Sequence, residues 1–373
     1  MGLADFRVYL DSSPATDEQL ALFNEIRVDQ AIGMATEAEL DIDLSLDDQG
    51  QWSVIEDEFA QPFRRVRVEV KLGDGDFTAL IDGPIVAQRF QLGAGPDEST
   101  LTLVVHDDSV LLNQEESVEL FEDMAASEIA ESLISAAGLT AQVDSVPDSG
   151  ASHTRYVIRR GTPMQLLRDL ARRNGMFVYV KPGDTAGQSV CVFTKPTLTA
   201  GDAAELLLLG EERNISKFTL QFDALQPTKA RAGAVRISDK SLLQSETDTA
   251  QVHALGDEPA HSMVSTPARS LLLGAREEQN DIDAATLASV DMSSFAYTAT
   301  AELDANDYSQ SLSPYQVVNV AGPGGYLGGA YLISRVQHVI NDESYKQNLT
   351  LKRNARSSGS SGGGVTGLLG GLF

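Results

Sequence analysis

Four oxygen-bearing side chains alternate in the first part of the chain, at a spacing that could bind calcium. They are Asp41, Asp43, Ser45 and Asp47. A helix–loop–helix calcium site needs glycine at the sixth position of its loop and a bidentate glutamate at the twelfth, where this chain has Leu46 and Trp52. The residues in between, Leu40 to Leu46, are apolar at every second position. The pattern therefore predicts a half-buried strand with one acidic face.

The other residues that could do chemistry lack the partners that each reaction requires. The Gly-rich segment 322–329 has no following Lys-Ser or Lys-Thr pair, so it predicts a hairpin and not a phosphate-binding loop. Cys191, the only cysteine, lies in an alternating apolar run and is expected to be a buried thiol. No histidine pair has the spacing of a zinc site; the histidines are His106, His153, His253, His261 and His338. We expect no catalytic residue, no metal and no cofactor.

One basic group stands out in an acidic chain of net charge -26. Its members are Arg155, Arg159, Arg160, Arg168, Arg172 and Arg173. One hypothesis is that it docks onto an acidic partner surface, for example the N-terminal domain of another copy. Residues 1–62 of that domain contain 15 acidic residues and only two basic ones, Arg7 and Arg27. The alternative is an ordinary charge pattern on a helix end and a strand face. The sequence leaves both open.

Composition narrows the class of protein. With 373 residues, of which 42% are apolar, the chain is long enough to bury two or three domain cores. Its acidity disfavours direct nucleic-acid binding, because phosphates are neutralised by Lys and Arg. No apolar run approaches the roughly 18 residues of a membrane helix, and the first residues do not resemble a signal peptide, so we expect a protein made in the cytoplasm without a membrane segment.

The first third of the chain has the periodicity of β-strands. Alternation predicts a strand over 65–72, a Gly-rich hairpin turn at 73–76 and further strands over 85–92 and 101–105. The simplest architecture is a first β-barrel domain spanning residues 1–111.

The pattern then changes to helices alternating with strands over residues 112–200. Ser127 is predicted to cap one helix, and Thr162 with Gln165 forms a capping box for a second, which Gly175 ends. A hairpin over 176–193 follows, and together these elements predict a small α/β insertion module.

A second β-barrel domain is predicted over 201–356, with an unassigned polar stretch at 239–294. The segment 83–91 aligns without gaps with 329–337, and three of the nine positions are identical. A Leu-Thr-Leu strand follows each copy, which indicates a duplicated β-domain split by the α/β module. We therefore expect Arg89 and Arg335 to occupy equivalent strand positions. The fold class is mainly β, with two related barrels flanking an α/β insertion.

Two stretches resemble a known family. The stretch 127–179, with Ser-Glu-Ile-Ala, Gly-Thr-Pro-Met-Gln-Leu-Leu-Arg-Asp-Leu-Ala and Asn-Gly-Met-Phe-Val-Tyr, resembles the central module of the phage late control protein D family and of type VI secretion spike proteins. The closing string Gly-Gly-Ala-Tyr-Leu-Ile-Ser-Arg-Val-Gln-His-Val-Ile-Asn resembles the last barrel of that family.

The resemblance implies a structural baseplate hub and not an enzyme. It implies a homotrimer whose six barrels form a pseudo-six-fold ring between a six-fold tail tube and a three-fold spike. Since the chain ends soon after the second barrel, the spike is expected to be a separate protein. The expected location is the baseplate of a phage tail or contractile injection machine, assembled in the bacterial cytoplasm together with tail tube and other baseplate proteins.

The last segment, 357–373, is a Ser/Gly linker with an apolar end. We expect this end to bind the spike or a neighbouring hub subunit through Val365, Leu368, Leu369, Leu372 and Phe373. Two alternative functions remain. One is a peptidoglycan- or carbohydrate-active baseplate component, and the other is a binding module on the tail surface.

Overall fold

A sheet of 13 strands forms the largest part of the molecule. The computed structural model describes residues 4–95, 98–146, 156–236, 239–273, 278–341 and 344–358. The predicted mainly-β class is confirmed. Within the described residues, no helix is both long and apolar enough to span a membrane.

The first part of the chain supplies one end of this sheet. Its elements are β1 (Ala4–Leu10), β2 (Ser13–Pro14), α1 (Asp17–Leu20), β3 (Phe23–Ala31), β4 (Glu37–Asp43), β5 (Arg65–Leu72), β6 (Thr78–Gln91) and β7 (Thr100–His106). The strand predicted over 65–72 is confirmed as β5, but Arg67 and Glu69 on its polar face are buried instead of exposed. Arg67 is only 4% exposed because its guanidinium binds Glu69 at 2.7 Å and Asp82 at 3.1 Å.

The acidic strand is shorter than its alternation suggests. β4 ends at Asp43, and Leu46 is 55% exposed. The chain turns at Asp47, whose carboxylate accepts hydrogen bonds from the backbone N–H groups of Gln49 and Gln51, both at 2.8 Å. This local hydrogen bonding stabilises a turn in place of further strand pairing.

The next part of the chain forms two small sheets and two helices. Its elements are β8 (Ser117–Glu122), α2 (Ala126–Ala136), β9 (Thr140–Val143), β10 (Tyr156–Gly161), α3 (Pro163–Arg173), β11 (Phe177–Pro182) and β12 (Ser189–Thr194). The capping box of Thr162 and Gln165 at the start of α3 is confirmed. The prediction that Ser127 caps α2 was wrong, because the helix begins at Ala126 and the Glu128 carboxylate accepts the Ala125 N–H at 2.7 Å.

The remaining elements complete the large sheet and add a separate layer. They are β13 (Leu206–Leu207), β14 (Phe218–Phe222), β15 (Thr228–Val235), β16 (Leu242–Thr247), β17 (Glu258–Pro259), β18 (Ala268–Leu273), α4 (Gln279–Ser293), β19 (Tyr297–Asp304), β20 (Val317–Ala321), β21 (Gly329–Asn341), β22 (Tyr345–Arg353) and β23 (Ala355–Arg356). In the stretch left unassigned from the sequence, β16 and β18 flank β15 in a three-stranded sheet, and α4 contacts β15 and β16.

The large sheet connects early and late parts of the chain. β3, from the first part, pairs with β21, from the last part. One apolar core cluster includes Ile26 and Leu40 together with Ile340 and Tyr345. The domain limits 1–111, 112–200, 201–356 and 357–373 stay a prediction.

Candidate functional site

Two groups of five strands in the large sheet have the same topology. Unit one consists of β3, β4, β5, β6 and β7, in the spatial order β3-β4-β7-β6-β5. Unit two consists of β14, β19, β20, β21 and β22, in the order β14-β19-β22-β21-β20. In both units every neighbouring pair is antiparallel. When the strands of each unit are numbered in chain order, both units have the spatial order first, second, fifth, fourth, third.

The two arginines of the repeated segment occupy equivalent strand positions, as predicted. Arg89 on β6 lies opposite Thr102, the threonine of the first Leu-Thr-Leu strand. Arg335 on β21 lies opposite Thr350, the threonine of the second. Each of the two long strands pairs first with the strand before it and then with the strand after it.

The two units meet edge to edge in a junction between β21 and β3. The strands pair in antiparallel register from Arg335 opposite Ala31 to Asn341 opposite Glu25. The guanidinium of Arg335 forms a bidentate contact with Asp29, with Nε at 2.7 Å from Oδ1. The hydrogen bonds to Asp29 raise the pKa of Arg335, which stays charged. The junction thus has a continuous ladder with an ion pair across it.

A buried polar chain lies behind this ion pair. Nδ1 of His338 is 2.7 Å from the hydroxyl of Tyr345, and its Nε2 is 3.3 Å from Oε1 of Gln30. Nε2 of Gln30 donates to the carbonyl of Leu80 at 2.7 Å. Because the Gln30 oxygen can only accept, the neutral ring carries its proton on Nε2 and accepts the Tyr345 hydroxyl at Nδ1. Burial lowers the pKa of His338 to about 3, so the ring is neutral at pH 7.

The next feature is the set of groups in the described part of the chain that could hold a metal ion or a substrate. It contains no group of three or more His, Cys, Asp or Glu side chains arranged to hold a metal ion. One cleft of about 620 Å³ lies beside β5 and is lined mainly by hydroxyl, amide and small apolar side chains. The acidic residues in its lining are Asp76 and Asp202. The predictions of no metal and no cofactor remain predictions.

The basic residues singled out from the sequence are distributed over two elements. On β10, Arg159 binds Glu119 at 3.1 Å, whereas the neighbouring Arg160 is exposed. On α3, Arg168 is exposed, and both Arg172 and Arg173 bind Asp169, at 2.8 and 2.9 Å. Arg155 lies outside the described residues. Part of this charge is therefore already neutralised within the chain, and docking to a partner stays a prediction.

The apolar C-terminal residues also lie outside the described part of the chain. They are Val365, Leu368, Leu369, Leu372 and Phe373. Their binding to a spike or to a neighbouring subunit remains a prediction from sequence.

Sequence reasoning missed one exposed apolar face. On the outer side of the β8–β10 pair, Leu120 lies opposite Ile158, and the side chains are 55% and 47% exposed. Val118 and Tyr156 on the same face are 77% and 56% exposed. The signal was available, since Val118 and Leu120 flank Glu119, but the sequence does not tell which face of a two-stranded sheet is covered.

Known proteins share this fold at low sequence identity. A tail protein of 43 kDa from prophage MuSo2 of Shewanella oneidensis is 14% identical with a TM-score of 0.64, covering 94% of this chain and 98% of that one. A tail protein from Neisseria meningitidis MC58 is 13% identical with a TM-score of 0.63, covering 94% and 97%. A component of the type VI secretion system of E. coli is 10% identical with a TM-score of 0.53, covering 94% and 76%. The chain has the fold of phage tail proteins.

Sequence comparison gives one match of a different kind. The model of the Alg8 N-terminal domain family matches residues 3–342, which is most of the chain. No curated protein matches the sequence.

Proposed function

We propose that this chain, which belongs to the Alg8 N-terminal domain family and has the fold of phage tail proteins, is a structural baseplate hub. In this role it forms a homotrimer that joins a six-fold tail tube to a three-fold spike. The proposal places the chain in the phage late control protein D group and in the baseplate of a phage tail or contractile injection machine, assembled in the bacterial cytoplasm.

The observation that carries the proposal is the pair of topologically equivalent strand units in one sheet. A ring of three identical subunits has three-fold symmetry, and two similar units in each subunit give it six similar positions. Such a ring can face a three-fold partner on one side and a six-fold partner on the other. The edge-to-edge junction of β21 with β3 supports this arrangement, because it holds the two units in a fixed relation within each chain.

The proposed partners are a separate spike protein, the tail tube protein and other baseplate proteins. The type VI secretion component with the same fold supports a partner of this kind, since that protein is structurally similar to the tail proteins gp27 and gp5 of phage T4. A copy count tests the role. Quantitative mass spectrometry of purified particles should find three copies of this chain for every six tube subunits in one ring. Six copies, or one, would contradict the hub assignment.

The absence of enzymatic activity is part of the proposal and needs its own assay. The reason is that the name of the matching family, the Alg8 N-terminal domain, is one associated with glycosyltransferases. The rival functions are a peptidoglycan- or carbohydrate-active baseplate component and a tail-surface binding module. The purified chain should release no fragments from peptidoglycan and transfer no sugar. Turnover that is lost in Asp76→Asn or Asp202→Asn, the two acidic positions of the cleft, would overturn the structural role. Labelling of this chain at fibre tips would instead favour the surface module.

The apolar end of the tail is proposed to anchor the spike or an adjacent hub subunit. Replacing Leu368, Leu369 and Phe373 by serine should leave the chain folded and reduce the amount of spike in purified particles, because the anchor depends on burying apolar surface. Thr366→Ser is the matched control, since it changes the same segment without removing a large apolar side chain. Full spike occupancy in the triple variant would rule this anchor out.

Docking of the arginine group onto an acidic surface is the remaining proposal for a site. Arg160→Glu and Arg168→Glu change exposed members that have no ion pair among the contacts described above. They should weaken incorporation into particles, and the weakening should be greater at low salt than at high salt. Arg172→Glu is the comparison, because Asp169 already binds that residue.

A further inference from the structure

An exposed phenylalanine in a strained backbone conformation lies just before β5 of unit one. Phe63 has a φ of 64°, in the left-handed region, and the residue is 71% exposed. A bulky residue rarely adopts this conformation, because its Cβ atom comes too close to the following carbonyl oxygen. The exposed ring gains little from burial that could offset this strain, and strained residues cluster at binding sites. Phe63 is therefore a candidate contact residue for a partner.

An aromatic residue at the corresponding place of unit two is covered. Tyr315 has a φ of 70° and lies two residues before β20, as Phe63 lies two residues before β5. Each of the two backbone N–H groups donates to a carbonyl on the long strand of its own unit, at 2.8 Å for Phe63 and 3.1 Å for Tyr315. The Tyr315 ring stacks on that of Tyr179, with centroids 3.8 Å apart, and meets Phe177 edge-on. β11 of the same chain thus covers this position in unit two, while the position in unit one stays open.

Two carboxylates precede Phe63 in the same loop. Glu56 and Asp57 are exposed and form no ion pair with any residue that the structure describes. Arg64, which follows Phe63, already binds two carboxylates, one of which belongs to Glu58. The surface beside Phe63 therefore combines a large apolar side chain with unpaired negative charge, so it fits a partner that is both apolar and positively charged.

The outer face of the β8–β10 pair has both of these properties. Its exposed apolar side chains are those of Val118, Leu120, Tyr156 and Ile158. Arg160 lies at one end of this face, opposite Val118, and Glu122 lies at the other end, opposite Tyr156. Arg160 is exposed and has no ion pair within the described part of the chain. The face thus offers apolar surface next to an unpaired positive charge.

We infer that the outer face of the β8–β10 pair of one copy covers Phe63 of the partner subunit. Arg160 of the first copy then faces the partner subunit's Glu56 and Asp57. Both copies bury apolar side chains that are exposed in either copy alone, and the unpaired charges neutralise each other. This inference rests on the proposed hub and identifies the acidic partner of the arginine group.

The contact joins two different surfaces, so it is head-to-tail and compatible with a cyclic trimer. It places the β8–β10 face of one copy on a loop of the next and requires no pairing of strands between copies. Within a chain, β11 covers Tyr315 of unit two. Between chains, the β8–β10 pair covers Phe63 of unit one, so that the aromatic positions of both units are covered in the assembled state.

Two glycine variants separate a role in this contact from a role in folding. Phe63→Gly should change the urea midpoint of the chain little, because relief of the backbone strain offsets the greater freedom of glycine in the unfolded chain. It should reduce incorporation into particles about fivefold or more, as expected for an apolar anchor of an interface. Tyr315→Gly is the comparison and should lower the midpoint, because its ring packs within the chain. Equal falls of the midpoint in both variants, or full incorporation of Phe63→Gly, would overturn the inference.

Charge exchange tests the polar part of the contact. Arg160→Glu and the Glu56→Arg/Asp57→Arg variant should each reduce incorporation about two- to fivefold, the effect expected of exposed ion pairs. The variant that combines all three changes should recover incorporation, because opposite charges again face each other. Arg168→Glu combined with the same two loop changes is the matched control and should not recover, since Arg168 lies on α3 and not on this face. Additive losses in the Arg160 combination would contradict the contact.

A photo-cross-linker identifies what covers Phe63. Particles are assembled from isotopically light and heavy chains with p-benzoylphenylalanine at position 63, irradiated, and digested for mass spectrometry. Mixed light–heavy links from position 63 to residues 117–122 or 156–161 should form. The same group at Leu225, which is 84% exposed, is the control and should not link to these residues.

The outcomes separate this contact from the proposed function. Particles with three copies whose links run to another protein, to another part of the chain or to nothing would overturn the contact and leave the trimeric hub in place. Links to the β8–β10 face in a gel ladder that ends at two copies, or continues beyond three, would support the contact and contradict the trimer.

Discussion

Lowering the pH from 7 to 5 should destabilise the junction between the two units through one residue, His338. Its side chain is fully buried, and burial lowers its pKa from an ordinary value of 6.5 to about 3. In the unfolded chain the ring binds a proton as the pH falls below about 6.5, whereas in the folded chain it stays neutral. The contribution of the neutral His338 ring to the free energy of unfolding is therefore fully present above pH 6.5, and it is lost as the pH falls from 6.5 towards 3.

The size of the effect follows from the difference between the two pKa values. A pH of 5 lies about 1.5 units below the ordinary pKa of the unfolded ring but above the pKa of the folded ring. Protonation at pH 5 therefore stabilises the unfolded chain by about 2 kcal/mol relative to the folded chain. The His338→Gln variant should lack this loss, because glutamine retains a donor for Gln30 and does not titrate. The exposed His253 supplies the matched control, since His253→Gln should retain the full pH dependence.

Urea unfolding followed by the fluorescence of Trp52 measures this effect. Trp52 is the only tryptophan and packs against the apolar cluster that contains Ile340 and Tyr345, so its signal reports the unfolding of that cluster. The wild-type chain and His253→Gln should lose about 2 kcal/mol more between pH 7 and pH 5 than His338→Gln does. Equal losses in all three would refute the buried neutral histidine.

Three further predictions test packing and capping at other places in the chain. Gly83→Ala should destabilise the chain by about 3 kcal/mol in urea unfolding, because a Cβ would lie 1.9 Å from the His106 carbonyl oxygen; Gly201→Ala, with open space around it, should change stability by under about 0.5 kcal/mol. Cys191 should react with a thiol reagent only in urea, since burial and the nearby Asp107 charge raise its pKa to about 12. Thr162→Ala should cost about 1 kcal/mol by removing the cap of α3.

Local patterns predicted the elements whose determinants lie close together in sequence. The capping box at Thr162 and the strand over 65–72 follow from residues within a few positions of one another, and the strand positions of Arg89 and Arg335 follow from the repeat of 83–91 at 329–337. Such patterns depend on period and capping chemistry, which the sequence displays directly.

The junction could not be predicted because it joins residues far apart in sequence. Arg335 and Asp29 are 306 residues apart, and no pattern within either strand indicates which strand it pairs with. Burial of Arg67 was missed for a related reason, since its partner Asp82 is supplied by another strand. Alternation alone predicts that a charged side chain on a strand faces solvent. Its burial is predicted only when a buried carboxylate that pairs with it is also known.

α4 was missed because only two of its five buried residues, Ile282 and Val290, are large and apolar. Thr286, Ala288 and Ser293 face the protein interior, and the hydroxyl of Thr286 is 2.8 Å from that of Ser245 on β16. A helix whose buried side is made mostly of small and hydroxyl-bearing residues has no clear apolar stripe, so its period is weak in the sequence.

A cryo-EM map of the intact particle, reconstructed without imposed symmetry, tests the hub proposal most directly. At the position of this chain the map should show three copies related by a three-fold axis, with six similar five-strand units around the ring and the tail tube on one side. A ring of six copies, or a single copy on the axis, would contradict the account.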